Sequence, residues 1–297
     1  MPGGAGSGGA LAGGGSGGAL AAGGSAGAAV SWSPSKCKRG IAANSVSLKD
    51  LAAFGSAVKW FYDWGDQLPS ALTPLAVSGT GLEFVPMVYG GDPDVDGVAA
   101  EIPSGAHYLL GFNEPNFHAE GNLSASAAAA LWPKLEAIAQ ARELQLVGPA
   151  VNYCGPASEC WDSDPFSYLN SFFAACPSCR VDYVAVHWYA CDAGSLQSYL
   201  SQAKKYGKPI WLTEFNCPGG DAAAQLAYMK VALPVLEADP QVFRYSWLMA
   251  RSTQPTINLL AADGELTPLG QAYVAAPVSP ECAAEQSGAG GVSGAGT

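Results

Sequence analysis

Two kinds of hydrophobic pattern alternate along the chain. Short, nearly unbroken apolar runs, rich in Val, Ile, Leu and aromatic residues, occupy 39–43, 58–62, 83–89, 108–112, 145–151, 182–189, 209–215 and 242–248. Runs of this length without polar alternation suit strands buried on both faces. Helical spacing fills the gaps. Ser124 can cap a helix that carries Leu131, Leu135 and Ile138 on one face, with a bend at Pro133. A second helix is expected over 194–206, and a third over 222–236 with Leu226, Met229, Leu233 and Leu236 along one side. Thr267-Pro268 reads as an N-cap followed by a first-turn proline, opening a helix over 269–274. Eight strands alternating with helices predict an α/β fold, a closed (β/α)8 TIM barrel. An open doubly wound sheet has the same alternation, but no Gly-x-Gly-x-x-Gly turn follows an early strand.

The pattern fades at both ends. Residues 1–29 are almost wholly Gly, Ala and Ser, which cannot bury enough apolar area to offset the entropy of ordering. They are expected to be a disordered linker, with residues 283–297 a flexible Gly-rich tail and 30–282 one catalytic barrel. The 1–29 segment has no basic flank and its glycines interrupt any apolar core, so it does not read as a signal peptide. No apolar run reaches the roughly 18 residues that cross a bilayer.

In a barrel, functional groups sit where strands end. Here the ends carry Asn44, Trp64, Tyr89, Asn113-Glu114, Asn152-Tyr153, His187-Trp188-Tyr189, Glu214-Phe215-Asn216 and Trp247. Flat aromatics and hydrogen-bonding groups on one rim suit a sugar, with its apolar ring faces and hydroxyl edges. The sharper signal is the pair Glu114 and Glu214, at the tips of the fourth and seventh strands, which face one another across the barrel mouth. Glycosidic hydrolysis needs two such carboxyls, one to protonate the leaving oxygen and one to attack or to activate water. Separations of about 5 Å (retaining) and above about 6.5 Å (inverting) are both open from sequence.

Composition narrows the partners. The charged share is 13% and the formal net charge −11, which argues against nucleic acid and anionic membranes but does not penalise a neutral polysaccharide. A monomer without metal or cofactor is expected. The eight cysteines point to an oxidising, extracellular or cell-wall setting. Zinc competes for Cys176-Pro-Ser-Cys179, but no second such pair exists and the three histidines lie elsewhere in the sequence. Topology suggests the pairs Cys154–Cys160, Cys176–Cys179, Cys191–Cys217 and Cys37–Cys282. Asp92, Asp94 and Asp96 lack the Gly and Glu of a calcium loop and read as a solvated loop. Asn122-Leu123-Ser124 is a possible N-glycan acceptor, and Arg251 reads as a carboxylate partner.

Further residues carry a family resemblance. Lys38-Arg39-Gly40-Ile41-Ala42, Trp60-Phe61-Tyr62-Asp63-Trp64-Gly65, Phe84-Val85-Pro86-Met87-Val88-Tyr89, Leu110-Gly111-Phe112-Asn113-Glu114-Pro115-Asn116, Val184-Ala185-Val186-His187-Trp188-Tyr189, Thr213-Glu214-Phe215 and Leu266-Thr267-Pro268-Leu269-Gly270, in that order and spacing, resemble glycoside hydrolase family 128, the β-1,3-glucanases. The resemblance runs from about Lys36 to Val274. It implies a retaining endo-β-1,3-glucanase with Glu114 as acid/base and Glu214 as nucleophile. The chemistry agrees: Asn113 can bind the sugar 2-hydroxyl, a bond that strengthens in the oxocarbenium-like transition state. Tyr189 or His187 is expected to orient Glu214, and Trp247 to form a stacking platform. Trp64, Tyr89, Trp188 and Asn44 are expected to contact outer sugar units. Two rivals remain from sequence: the same mechanism on β-1,4-glucan or mannan, and a barrel that binds glucan without cutting it.

Overall fold

The computed structural model describes Trp32 and residues 34–289. The strands are β1 (Arg39–Ala42), β2 (Trp60–Tyr62), β3 (Glu83–Phe84), β4 (Tyr108–Leu110), β5 (Gln145–Val151), β6 (Tyr183–Tyr189), β7 (Ile210–Asn216) and β8 (Val242–Leu248). They form one parallel sheet in the order β3-β2-β1-β8-β7-β6-β5-β4. The sheet curls in a TIM-like manner, and a parallel bridge between Met87 and Leu110 joins its end strands. There Leu110 N–H donates to Pro86 O at 2.9 Å and Val88 N–H to Leu110 O at 3.0 Å. The expected third strand, 83–89, is thus broken into a two-residue strand and this bridge. Pro86, which has no N–H to give, sits at the break.

The helices are α1 (Leu48–Ala53), α2 (Pro74–Ser78), α3 (Val95–Glu101), α4 (Ala125–Arg142), α5 (Pro165–Ala175), α6 (Ala193–Ala203), α7 (Ala222–Ala238), α8 (Pro268–Ala275) and α9 (Pro280–Ala289). Ser47, Thr73, Ser124, Asp164, Asp192, Asp221 and Thr267 each accept a backbone N–H from the first turn of the helix they precede. Such a cap is typically worth about 1 kcal/mol. Helix α4 continues past Pro133 to Arg142. Helix α9 corrects one boundary: residues 283–289, expected as tail, are helical. A disulfide from Cys282 to Cys37, across 245 residues, ties this helix to the start of β1. Glu285 adds hydrogen bonds to Ser35 Oγ and Lys36 N, each at 2.7 Å. The expected linker at 1–29, and residues 290–297, lie outside the described residues.

The other three disulfides are Cys154–Cys160, Cys176–Cys179 and Cys191–Cys217, as topology suggested. Arg251 pairs with Asp50 at 2.8 Å.

Strand parity splits the core into two layers. Ile41, Phe61, Leu109, Leu146, Val184, Val186, Leu212, Tyr245 and Trp247 pack outward beneath the helices. Trp60, Tyr62, Val85, Met87, Tyr108, Val147, Tyr183 and Trp211 fill the inside of the curled sheet. The inner layer needs Gly40, because a Cβ there would come within 2.2 Å of the Trp60 ring. Aromatics packed this way leave the C-terminal strand ends as a stiff rim on which polar groups can be placed.

Candidate active site

Each glutamate is aimed by a local departure from regular structure. In β6 and β7, Val186 pairs with Leu212 but His187 pairs with Glu214, so Thr213 is an extra residue in the ladder. The bulge keeps Leu212 and Phe215 in the outer core while Glu214 reaches the cleft. Glu114, after β4, has φ +38°, in the left-handed region. That backbone costs on the order of 1–3 kcal/mol for a residue with a Cβ. Bonds from Glu114 N to Ala150 O at 2.8 Å and from Phe117 N to Glu114 O at 2.9 Å hold it there. Gly121 is needed nearby, because a Cβ there would fall 2.4 Å from Asn113 O.

The two carboxylates meet at His187. Its Nδ1 lies 2.8 Å from Glu114 Oε1 and 3.3 Å from Glu214 Oε2. One donor atom from each of the three residues falls within 4.8 Å of the others, so the carboxylate oxygens approach at least that closely. The other donors around Glu214 are neutral. Tyr62 Oη donates to Oε1 at 3.1 Å, Trp64 Nε1 donates to Oε1 at 2.8 Å, and Tyr189 Oη donates to Oε2. Asn152 Nδ2 donates to Glu114 Oε1 at 3.2 Å. Among the described residues this trio is the one acid/His/Cys set with donor atoms close enough to hold a metal ion.

Burial and charge tune the neighbours. Burial alone would push the His187 imidazole down, but the Glu214 and Glu114 carboxylates outweigh it and raise its pKa. Tyr189 and Tyr62 are raised well above the phenol range, first by burial and then by Glu214. Both phenols therefore stay protonated and remain donors. His187 Nε2 and Asn113 Oδ1 are buried without a partner.

A cleft of about 470 Å³ lies over this cluster, lined by Asn44, Trp64, Tyr89, Asn113, Glu114, Glu120, Tyr189, Glu214, Leu248 and Met249. It thus gathers seven of the ten residues singled out from sequence. His187 is fully buried and reaches the site through its carboxylate bonds. Two residues are corrected. Trp247 is fully buried with Nε1 donating to Ile257 O at 2.8 Å and its ring against Phe215, so it offers no face to a ligand. Trp188 likewise points outward, with its ring 4.9 Å from Tyr199. Parity explains Trp188, since the inward positions on β6 are His187 and Tyr189; at β8 the cleft is reached by Leu248, its last residue, and by Met249 just beyond it. Tyr62 and Glu120 were missed, and Asn152, noted at a strand end, was given no role. Tyr62 was legible, since it shares its face with Trp64 two residues on. A depression of about 520 Å³ between α7, α8 and residues 277–280 is mostly apolar and contains one carboxylate, Glu237.

Residues 40–273 match the family model described as glycosyl hydrolase catalytic core. A crystal structure of a GH128 subgroup II endo-β-1,3-glucanase from Sorangium cellulosum is 45% identical, covers 82% of this chain and 99% of that one, and superposes with a TM-score of 0.78. The chain belongs to glycoside hydrolase family 128. A more distant family 128 structure, the subgroup I endo-β-1,3-glucanase of Amycolatopsis mediterranei in complex with laminaritriose, is 30% identical over 81% of this chain and 100% of that one, with a TM-score of 0.65. Alkali-sensitive linkage protein 1 of Schizosaccharomyces pombe is 30% identical over 233 residues, covering 73% of this family 128 chain. The chain spans 40% of the length of that relative.

Proposed function

We propose that this chain is a retaining endo-β-1,3-glucanase, with Glu114 as general acid/base and Glu214 as nucleophile. The observation that carries the mechanism is the approach of the two carboxylates, within 4.8 Å at their nearest donor atoms. Retaining enzymes hold their carboxyls about 5–5.5 Å apart, whereas inverting enzymes leave room for a water between them. The β-1,3 linkage and internal cutting rest on the Sorangium relative, at 45% identity over nearly its whole length.

In the first step Glu214 attacks the anomeric carbon while Glu114 gives its proton to the glycosidic oxygen. The leaving chain departs, and a glycosyl ester forms on Glu214. In the second step Glu114, now a carboxylate, takes a proton from water as that water attacks the ester. Tyr62, Trp64 and Tyr189 hold Glu214 by neutral hydrogen bonds, fixing its direction without cancelling its charge. Asn113 Oδ1, buried and unpartnered beside the cleft, is placed to accept from the sugar 2-hydroxyl.

The same reading takes the sheet as a closed (β/α)8 barrel forming one domain, active as a monomer on polysaccharide. Four disulfides and the likeness to a yeast linkage protein support an extracellular or wall-associated site of action.

The test is product analysis on linear β-1,3-glucan, with β-1,4-glucan as control, for wild type, Glu214→Ala and Glu114→Ala. Wild type is expected to cut only the β-1,3 polymer and release β-anomers before mutarotation. Glu214→Ala should lose a factor on the order of 10⁴ or more in kcat. Glu114→Ala should lose about 10²–10⁴ on glucan and far less on substrates with good leaving groups. Initial α-anomers, or an active Glu214→Ala enzyme, would overturn the mechanism.

A further inference from the structure

Large apolar side chains are exposed at Leu48, Leu75, Tyr89, Tyr153, Trp161 and Val231. Tyr89 already lines the cleft. Trp161 is the largest of the others and is 54% exposed. Its surroundings differ from those of an incidental surface aromatic. Trp161 N–H donates to Asn116 O at 2.9 Å, and its indole Nε1 donates to Asn122 Oδ1 at 2.9 Å. The His118 ring meets it edge-on, with centroids 4.9 Å apart. Asn122 sits at φ +48°, a left-handed conformation that Asn tolerates better than most residues. The preceding loop is closed by Cys154–Cys160, and His118 N–H donates to Glu159 O at 2.9 Å. Backbone, indole N–H and loop are all fixed, while more than half of the side chain faces water.

The position of this indole relative to the chemistry follows from hydrogen bonds. Asn116 accepts from Trp161, and its own Nδ2 donates to Asn152 O at 2.8 Å and Asp162 O at 3.1 Å. Asn152 in turn holds Glu114 Oε1. Trp161 is therefore built onto the β4–β5 side of the rim, two residues removed from the acid/base. Glu214 takes its donors Tyr62 and Trp64 from the β2 side. An acid/base delivers its proton to the oxygen that leaves, so the departing part of the glucan lies on the Glu114 side of the scissile bond. A glucosyl ring has an apolar C–H face, which pairs with an indole face much as aromatic rings pair with one another.

We propose that Trp161 is a stacking platform for the leaving, reducing-end side of a β-1,3-glucan, fixing how many glucosyl units the enzyme grips beyond the cleavage point. This rests on the glucanase reading above. The occupant is the substrate chain itself, because the hydrogen bonds that fix Trp161 run through Asn116 and Asn152 to Glu114, which lines the cleft. Its role is in binding the leaving portion rather than in the bond-breaking step.

The experiment compares wild type, Trp161→Ala and Trp161→Phe on two substrates. Laminarihexaose can fill both sides of the cleft, whereas β-laminaribiosyl fluoride has a leaving group too small to reach Trp161. Trp161→Ala should lower kcat/KM about tenfold on the hexaose, the scale of one lost aromatic stacking contact. On the fluoride it should lower kcat/KM by less than about twofold. Trp161→Phe, which keeps an aromatic face but loses the Asn122 bond, should recover most of the loss. Equal loss on both substrates would mean that Trp161 only supports the loop, and no loss on either would mean the face is idle; either result overturns the proposal while the glucanase reading stands. Wild type that neither binds nor cuts laminarihexaose would overturn both.

Discussion

The same sheet carries two clusters of glutamate and histidine, one towards each end of its strands, and the proposed mechanism uses only one of them. Near the strand starts, Glu83 accepts from Arg244 at 2.6 Å and lies 3.0 Å from His107 Nδ1. The Arg244 guanidinium is itself enclosed by the rings of Tyr108, Trp211, Trp60 and Phe243, at 4.5 to 5.6 Å. Burial would push the Glu83 carboxyl up, but Arg244 and then His107 outweigh it and hold it below the usual range. At the strand ends, Glu114 and Glu214 share His187 and are otherwise bound by phenol, indole and amide groups. A permanent cation makes Glu83 a fixed anion. Among the described residues, Glu114 and Glu214 have no arginine or lysine paired to them, as the roles proposed for them require. The contrast is between a carboxylate fixed by a permanent cation and two carboxylates held by neutral donors and a histidine that can change its charge.

The largest effect that tests this contrast is expected at the inert end. Arg244→Met strands a buried Glu83 carboxylate and should destabilise the fold by about 3–5 kcal/mol. The double variant Arg244→Met/Glu83→Gln should regain much of that loss, because no buried charge is left unpaired. Urea unfolding of wild type, single and double variants measures both. A single variant as stable as wild type would show that Glu83 is not held by the cation.

At the reactive end the expected pattern is reversed: function falls and stability hardly moves. Tyr189→Phe removes one neutral donor from Glu214 Oε2 and leaves His187 at 3.3 Å. It should lower kcat by about 10–100-fold, the scale of one strong hydrogen bond gained at the reacting centre. Stability should change by less than about 1 kcal/mol, since the ring still fills its place. Initial rates on β-1,3-glucan and urea melts on the same preparation separate the two readouts. A stability loss as large as that of Arg244→Met would erase the distinction between the clusters.

How much of this contrast was legible in the sequence depended on backbone regularity. The meeting of Glu114 and Glu214 could be expected because strand-end carboxylates in an alternating α/β chain have few other places to go, and the four disulfides followed from the same topology. Trp188 was misplaced although simple alternation with His187 and Tyr189 puts it on the outer face. Trp247 was harder. In β7 and β8 the register slips between Ile210 and Trp211 and again between Leu212 and Phe215, so counting in twos from one end gives the wrong face. The pairing of Glu83 with Arg244 spans 161 positions and two strands that are not neighbours in the sheet. No local pattern encodes such a contact; it exists because both side chains point into the same curled interior.

Asp63 sharpens the comparison with a third condition, a carboxylate that has neither a cation nor several donors. It lies between Tyr62 and Trp64, the two β2-side partners of Glu214, and accepts from Gly65 N–H at 3.1 Å. Burial pushes its carboxyl up to about 6, against an ordinary value of 3.8. The folded state therefore holds the Asp63 proton more tightly than the unfolded state does. Stability from this residue is greatest below about pH 4, declines as pH rises towards 6, and is level above that. Asp63→Asn keeps an oxygen for Gly65 and removes the charge. It should raise stability by about 1–2 kcal/mol at pH 7.5, after discounting for partial exposure to water, and by almost nothing at pH 3.5. Urea melts at the two pH values give the answer: an equal gain at both would trace the effect to packing, and no gain at pH 7.5 would mean that water already compensates the charge.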